Sequence, residues 1–312
     1  MNTDKHRLAP EFLFPTRLCA CPRLSAMALF LFGAVAAPVQ AGRVECGAVP
    51  SKTLGRAVRY CAMLPPSYDA EKTRRYPILY YLHGLGENEQ TFVDFGGWSL
   101  LENLQDAKRV GEYLVVIPEG GRSFYINSRD GKQRYEDFLV HEFLPRIEAR
   151  FRVRPGRASR GVAGVSMGGY GALRLAFKRP ELFASVSAHS AALLEELPKN
   201  LPQSPRMQAR LRVLGETYGV PFDRAFWEKN SPLTLARNAP GLARLKIYFD
   251  CGTSDEYGFD AGARALAEVL TARKIAHEFH LYPGGHGWAY LGEHVSATFE
   301  FHSRAFHLTA AN

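Results

Sequence analysis

Three residues far apart in the sequence have the types and local surroundings of a nucleophile, an acid and a base. Ser166 is the serine of a G-x-S-x-G run, Asp255 follows a strongly apolar run, and His286 lies among glycines. A serine hydroxyl is a weak nucleophile, so it needs a base, and the base needs a third group that orients it. These residue types, in this order along the chain, predict acyl transfer through a covalent intermediate.

The G-x-S-x-G run is the strongest of these signals. An apolar strand pattern precedes Ser166 and a helical pattern follows it, which is the context of a nucleophile elbow. So tight a turn leaves no room for a Cβ at Gly164 or Gly168. The N–H of Met167 then points to where an oxyanion would lie, at the positive end of the helix. A plain glycine-rich turn is the alternative; a phosphate loop is disfavoured because its lysine is missing.

A second oxyanion donor is expected in the segment HGLG (83–86), which follows another apolar strand. Loops at this place supply a backbone N–H to the oxyanion, and Leu85 is the expected donor. His83 is interpreted first as a residue that braces this loop.

The acid and the base are expected in loops at the ends of later strands, in the order serine, acid, histidine. Asp255 lies just past the carboxyl end of a strand, where such sheets carry chemistry; Glu256 is its rival. His286 comes after the last strand. His189 is the other loop histidine downstream of the serine, but it precedes the acid and so has the wrong order.

Strand-like apolar runs alternate with helical patterns over most of the chain. Several runs are continuously apolar, as in strands buried on both faces, which favours a largely parallel sheet between helix layers. We therefore predict one α/β domain over 42–312. A proline-rich segment, about 191–244, interrupts the alternation and is interpreted as an inserted cap. The strand runs are 57–64, 76–83, 113–118, 161–165, 183–188, 245–251 and 278–282, and helical spacing is clearest over 135–147, 259–270 and 288–306.

Residues 1–41 have the pattern of a secretory signal. A basic region is followed by the uncharged apolar stretch 24–37 and by small residues before position 42. This predicts cleavage after Ala41 and a periplasmic or secreted protein. A membrane anchor is the alternative, but the apolar stretch is short for a span, so no stable span is expected after cleavage.

Two cysteines flank a predicted hairpin near the start of the domain. Pairing across a turn near Thr53 and Leu54 sets Cys46 opposite Cys61, close enough for a disulfide. An exported protein meets the oxidising conditions that this bond needs. Two reduced thiols are the alternative. Cys251 is interpreted as a small core residue.

The composition is that of an ordinary globular protein. The chain has 312 residues, of which 46% are hydrophobic and 22% charged, which excludes a disordered, collagen-like or coiled-coil chain. The net charge is +8, but the basic residues are scattered, so we predict no nucleic-acid partner. The chemistry requires neither a metal nor an organic cofactor, and none is predicted. The sequence indicates no oligomeric state.

Taken together, these motifs resemble the esterase D-like branch of the α/β-hydrolases. The resemblance rests on YLHGLG (81–86), GVSMGGYG (164–171) and the loops of Asp255 and His286, and it covers nearly all of 44–306. It implies an α/β-hydrolase fold with the catalytic triad and with an oxyanion hole at the two backbone N–H groups named above.

The resemblance also suggests substrate contacts. The segment PEGGRSFY (118–125) is similar to one that lines the family's substrate pocket. Tyr125 is therefore a candidate contact of the substrate, together with His83. Packing at the rim of the pocket is the alternative role for Tyr125.

The branch includes S-formylglutathione hydrolases, tributyrin esterases, feruloyl esterases and mycolyltransferases. We expect a serine carboxylesterase that hydrolyses short-chain or sugar-linked acyl esters, of acetyl or feruloyl type. The alternatives are acyl transfer to a sugar or lipid acceptor and a thioesterase like S-formylglutathione hydrolase, whose cytosolic substrate fits poorly with secretion. A non-catalytic binding module is a third alternative, and the complete set of three residues argues against it.

Overall fold

A computed structural model describes residues 42–196 and 205–308, without the side chains of 205–211. The predicted signal segment, 1–41, lies outside these residues. The described chain contains eight strands. They are β1 (Arg43–Ser51), β2 (Arg56–Leu64), β3 (Ile78–Leu82), β4 (Leu114–Pro118), β5 (Arg160–Val165), β6 (Ser185–His189), β7 (Lys246–Gly252) and β8 (Glu278–Tyr282).

The strands form one sheet in the order β1-β2-β4-β3-β5-β6-β7-β8. The pairs β1–β2 and β2–β4 are antiparallel, and every other pair is parallel. The prediction of an α/β fold with a mostly parallel sheet is confirmed. Strands β3, β4 and β6 are buried along their whole length. The apolar sequences of β3 and β4 require this burial, whereas β6 buries the polar side chains of Ser185, Ser187 and His189.

Helices cover both faces of the sheet. Along β3, Tyr80 belongs to one apolar cluster and Tyr81 to another, because successive side chains point to opposite faces. The α-helices, in chain order, are α1 (Thr91–Asp94), α2 (Gly97–Asp106), α3 (Tyr135–Phe138), α4 (Leu144–Arg150), α5 (Met167–Lys178), α6 (Pro205–Tyr218), α7 (Arg224–Asn230), α8 (Pro232–Asn238), α9 (Phe259–Ala272), α10 (Trp288–His294) and α11 (Ser296–Ala305).

Two of the predicted helical patterns are interrupted. A π-helical turn, Leu139–Phe143, joins α3 to α4, and Pro145, which lacks an N–H, lies in the first turn of α4 directly after it. The single pattern over 288–306 is divided between α10 and α11, which meet at Val295. The apolar spacing continues across both breaks because the same face stays buried.

The proline-rich segment holds helices α6, α7 and α8, between β6 and β7. Helix α8 contacts both α5 and α9. From α5, the Tyr170 hydroxyl donates to the Asn230 carbonyl at 2.8 Å. The segment therefore packs against the helix that follows Ser166, and its role as a cap stays a prediction.

The β1–β2 hairpin carries a disulfide at the edge of the sheet. Cys46 is the register partner of Cys61, and the two are bonded with their Cα atoms 4.0 Å apart. The free Cys251 is buried at the end of β7.

Candidate active site

Ser166 occupies a strained turn between β5 and α5. Its φ of 54° and ψ of −116° are rare for a residue with a side chain. A Cβ on Gly164 would collide with the backbone of Gly168, and one on Gly168 would collide with the Leu82 carbonyl. The sequence forms this turn because both glycines lack that atom, and the turn leaves Ser166 partly exposed at its apex.

Ser166, His286 and Asp255 form a continuous hydrogen-bonded row. The distance between His286 Nε2 and Ser166 Oγ is 3.0 Å, and that between His286 Nδ1 and Asp255 Oδ2 is 2.8 Å. The Asp255 side chain is fully buried, whereas that of His286 is 14% exposed. Residues 120 positions apart thus meet at the carboxyl ends of the parallel strands, with the spacing that proton transfer requires.

The charge on Asp255 is stabilised by its neighbours. Burial alone would raise the pKa of this carboxyl, but hydrogen bonds from His286, the Tyr257 backbone and the Cys251 thiol hold the pKa below its ordinary value. An ionised Asp255 selects the imidazole tautomer with hydrogen on Nδ1, and that tautomer leaves Nε2 free to accept a proton.

Glu256, the rival acid, bonds to the backbone of His286 rather than to its ring. Its Oε2 accepts from the His286 N–H at 2.8 Å. The two adjacent carboxylates therefore hold one histidine at two different points, and Asp255 is the one that reaches the imidazole.

The two predicted oxyanion donors lie in the expected turns. Met167 is the first residue of α5, and Leu85 lies in the loop after β3. Neither backbone N–H donates a hydrogen bond within the described part of the chain. Both are therefore available to a ligand, as an oxyanion hole requires.

The predicted substrate contacts of His83 and Tyr125 are wrong. Both side chains have no exposed surface, so neither reaches a ligand. His83 Nε2 accepts from the Gly120 N–H, and its Nδ1 lies 2.8 Å from the Gly84 carbonyl. The Tyr125 hydroxyl donates to the His83 carbonyl. His83 braces the loops, as first interpreted, and burial lowers its pKa, which keeps it neutral.

Large apolar side chains are exposed on two loops of the site and in the turn between α1 and α2. Leu85 is 45% exposed, Phe95 64% and Tyr257 41%. Phe95 stacks on Trp288, two residues after His286, with ring centroids 4.2 Å apart. Leu85 and Tyr257 lie on the loops of the oxyanion donor and of Asp255, and the stacking on Trp288 brings Phe95 to the segment that follows His286.

A buried polar network lies behind the serine. The Ser166 N–H donates to the His189 carbonyl at 3.0 Å, and the imidazole of His189 lies 2.8 Å from Asp250. Asp250 also accepts from the hydroxyls of Tyr248 and Tyr290. Sequence reasoning set His189 aside for its order and did not find this network, since nothing local to any member indicates the others.

The described residues contain no metal-binding cluster and no membrane-spanning helix. Across 42–196 and 205–308, His, Cys, Asp and Glu side chains form no group of three or more that could hold a metal ion. Within the same ranges every helix is too short or too polar to span a lipid bilayer.

Comparison with known proteins places these observations in a family. Residues 51–301 match the family described as "Putative esterase". An esterase of Mycobacterium tuberculosis is 33% identical over an alignment 242 residues long, which covers 72% of this chain and 51% of that protein. An acetyl esterase of Caldicellulosiruptor saccharolyticus is 25% identical over an alignment 269 residues long, which covers 81% of this chain and 96% of that enzyme.

A solved structure agrees with these sequence matches. The structure of a ferulic acid esterase superposes with a TM-score of 0.72 at 25% identity, over 85% of this chain and 98% of the other. The predicted α/β-hydrolase fold is thereby confirmed. The chain spans about half the length of the mycobacterial relatives that it matches.

Proposed function

This chain belongs to the "Putative esterase" family, and we propose that it is a serine carboxylesterase. The observation that carries the proposal is the row Ser166–His286–Asp255, with successive distances of 3.0 and 2.8 Å and a serine that solvent reaches. Both the mycobacterial relative and the relative from Caldicellulosiruptor are named as esterases, which supports the same chemistry.

The reaction proceeds in two acyl transfers. His286 Nε2 takes the Ser166 hydroxyl proton as Oγ bonds to the ester carbonyl carbon, and the Leu85 and Met167 N–H groups bind the oxyanion. The carbon–oxygen bond to the alcohol then breaks, and His286 gives that oxygen the proton. Water repeats the sequence on the acyl-enzyme and releases the carboxylic acid and free serine.

The substrates are short-chain or sugar-linked acyl esters, of acetyl or feruloyl type. The names of the relatives support this range, since one is an acetyl esterase and another a ferulic acid esterase. Two exposed aromatic residues, Tyr257 on the Asp255 loop and Phe95 stacked on Trp288, suit a flat ring on the acyl group or a sugar face in the alcohol.

Replacement of the serine tests the proposal. Ser166→Ala removes the nucleophile and leaves only the oxyanion hole and substrate binding to accelerate the reaction, so hydrolysis of p-nitrophenyl acetate should fall about 10⁴-fold or more. Circular dichroism should show an unchanged fold. Ser99→Ala, on the exposed surface of α2, is the matched control. Turnover by the Ser166 variant at the rate of the control would refute the serine mechanism.

Export is part of the same proposal. The signal-like sequence of residues 1–41 and the Cys46–Cys61 disulfide both suit a protein of the periplasm or the medium. N-terminal sequencing of protein expressed from the full chain in a secreting bacterium should begin at Gly42. Recovery of uncleaved protein from the cytosol alone would contradict export.

A further inference from the structure

Two carboxylates bind backbone N–H groups in the loops that carry the proposed machinery. Glu87 accepts from the Gly84 N–H at 2.7 Å, in the loop of Leu85. Glu256 accepts from the His286 N–H at 2.8 Å. Each carboxylate therefore fixes the main chain of a loop rather than a reacting side chain.

Glu87 closes the turn that presents Leu85. Its own N–H donates to the Gly84 carbonyl at 3.3 Å, so both main-chain polar groups of Gly84 are bonded to Glu87. Gly86 has a φ of +86°, the left-handed conformation that the third position of a type II turn requires. Leu85 occupies the second position, and its N–H takes no part in the bonds that close the turn.

The negative charge of Glu87 does not explain how this residue would help the reaction. The side chain is half-buried, and burial raises the pKa of its carboxyl against the opposing effects of the Gly84 N–H and His286. A negative charge close to a developing oxyanion is unfavourable. Any benefit to the reaction must therefore come from the bond to Gly84, which a neutral acceptor would also make.

Glu256 does for the histidine loop what Glu87 does for the oxyanion loop. The N–H groups of Glu256 itself and of His286 hold the pKa of the Glu256 carboxyl below its ordinary value. Gly285 lies directly under this carboxylate, where a Cβ would collide with Oε1. A side chain at position 285 would therefore displace the carboxylate. The bond to the His286 N–H fixes the main-chain position from which the imidazole reaches Ser166.

We propose that Glu87 and Glu256 are positioning residues that hold the oxyanion loop and the histidine loop in the geometry of acyl transfer. The role of the two loops in acyl transfer rests on the proposed function, whereas the two hydrogen bonds do not depend on it. A misplacement of about 1 Å costs about 100-fold in rate. Loss of either bond should therefore lower kcat and leave KM nearly unchanged, because the carboxylates act on the loops.

Three variants at each position separate the effect of side-chain length from the effect of charge. Alanine removes the acceptor, glutamine keeps a neutral acceptor, and aspartate keeps the charge but shortens the side chain by one methylene. With p-nitrophenyl acetate, Glu87→Ala and Glu256→Ala should lower kcat roughly 10- to 100-fold. The glutamine variants should stay within about fivefold of wild type, since a neutral bond is roughly half as strong as a charged one. Glu268→Ala, exposed on α9, is the control.

Amide hydrogen exchange tests the two bonds without reference to activity. In the alanine variants, peptides that cover 83–87 or 284–288 should exchange about tenfold faster, and glutamine should restore protection. Should an alanine variant fail to fold by circular dichroism, the aspartate variant is measured in its place with the same expectation.

The outcomes separate the two proposals. Exchange and kcat equal to those of the Glu268 control would overturn the positioning role, as would glutamine variants as impaired as alanine. If the wild-type protein hydrolyses no ester, the proposed function fails, and the exchange rates alone then decide whether the carboxylates hold the loops.

Discussion

Single atoms decide the geometry around Ser166. Gly164 and Gly168 lie where any Cβ would meet backbone, and backbone yields less readily than the end of a flexible side chain. The positive φ of Ser166 is maintained because β5 and α5, on either side of the residue, fix the directions in which the chain enters and leaves the turn. The hydroxyl is thereby presented to solvent although its neighbours are buried.

Gly168→Ala should destroy this turn. The added methyl would overlap the Leu82 carbonyl, so we expect the free energy of unfolding to fall by roughly 1–3 kcal/mol or more and ester hydrolysis to be lost. Gly292→Ala is a matched control, because its Cβ would meet nothing within 4 Å inside α10; it should gain about 0.5–1 kcal/mol. Urea unfolding measures both, and a Gly168 variant as stable and active as the control would contradict the steric argument.

At the scale of elements, the parallel strands carry the site and the antiparallel edge stabilises it. Ser166 follows β5, Asp255 follows β7 and His286 follows β8. The carboxyl ends of these parallel strands lie at the same end of the sheet and bring the three residues together. The β1–β2 hairpin lies at the opposite edge of the sheet from β8. Its disulfide therefore bears on stability rather than on catalysis.

Removal of that disulfide should lower stability and spare activity. Cys46 and Cys61 are separated by 15 residues, and closing a loop of that length is worth about 3 kcal/mol. The double variant Cys46→Ser, Cys61→Ser should therefore unfold at lower urea, with kcat unchanged. Dithiothreitol should shift the wild-type midpoint to that of the variant and leave the variant itself unmoved. A reductant-insensitive wild-type midpoint would argue against the bond.

For the whole molecule, a buried polar network links the sheet to the last helix. His302 of α11 lies between Ser185 and Ser187 of β6, at 2.8 and 2.9 Å. Ser187 accepts from Thr298, which meets His189. Every member is buried. The network therefore stabilises the fold only while each polar group keeps its hydrogen-bond partner and no member carries an unpaired charge.

His302 makes the stability of the fold depend on pH. Burial, with repulsion from His189, lowers its pKa from 6.5 to about 3. Between these values the unfolded chain binds a proton that the folded chain does not, so stability falls as the pH falls, by about 1.4 kcal/mol per pH unit. Urea unfolding at pH 6 and at pH 5 measures how far the free energy of unfolding falls over this pH unit. In His302→Asn that fall should be smaller than in the wild type by about 1.4 kcal/mol. His307→Asn, which is exposed, should keep the wild-type slope; equal slopes in both variants would exclude His302 as its source.

Much of the fold was predictable because its signals are local. Strand-like apolar runs located seven strands to within about two residues, and the glycines around Ser166 predicted the turn from steric exclusion alone. The acid and the histidine were expected, in that order after the serine, in loops that follow later strands. The catalytic roles of Ser166, Asp255 and His286 stay predictions, although the three side chains meet.

Only the tertiary structure decided between neighbours that the sequence cannot tell apart. Asp255 and Glu256 are adjacent carboxylates, yet one reaches the imidazole and the other the backbone of His286, because successive residues in a loop point in different directions. Tyr125 resembled a pocket residue but is fully buried. Burial and partner choice depend on chain segments that are distant in sequence, so residue type and spacing determine the available chemistry while packing determines which residue performs it.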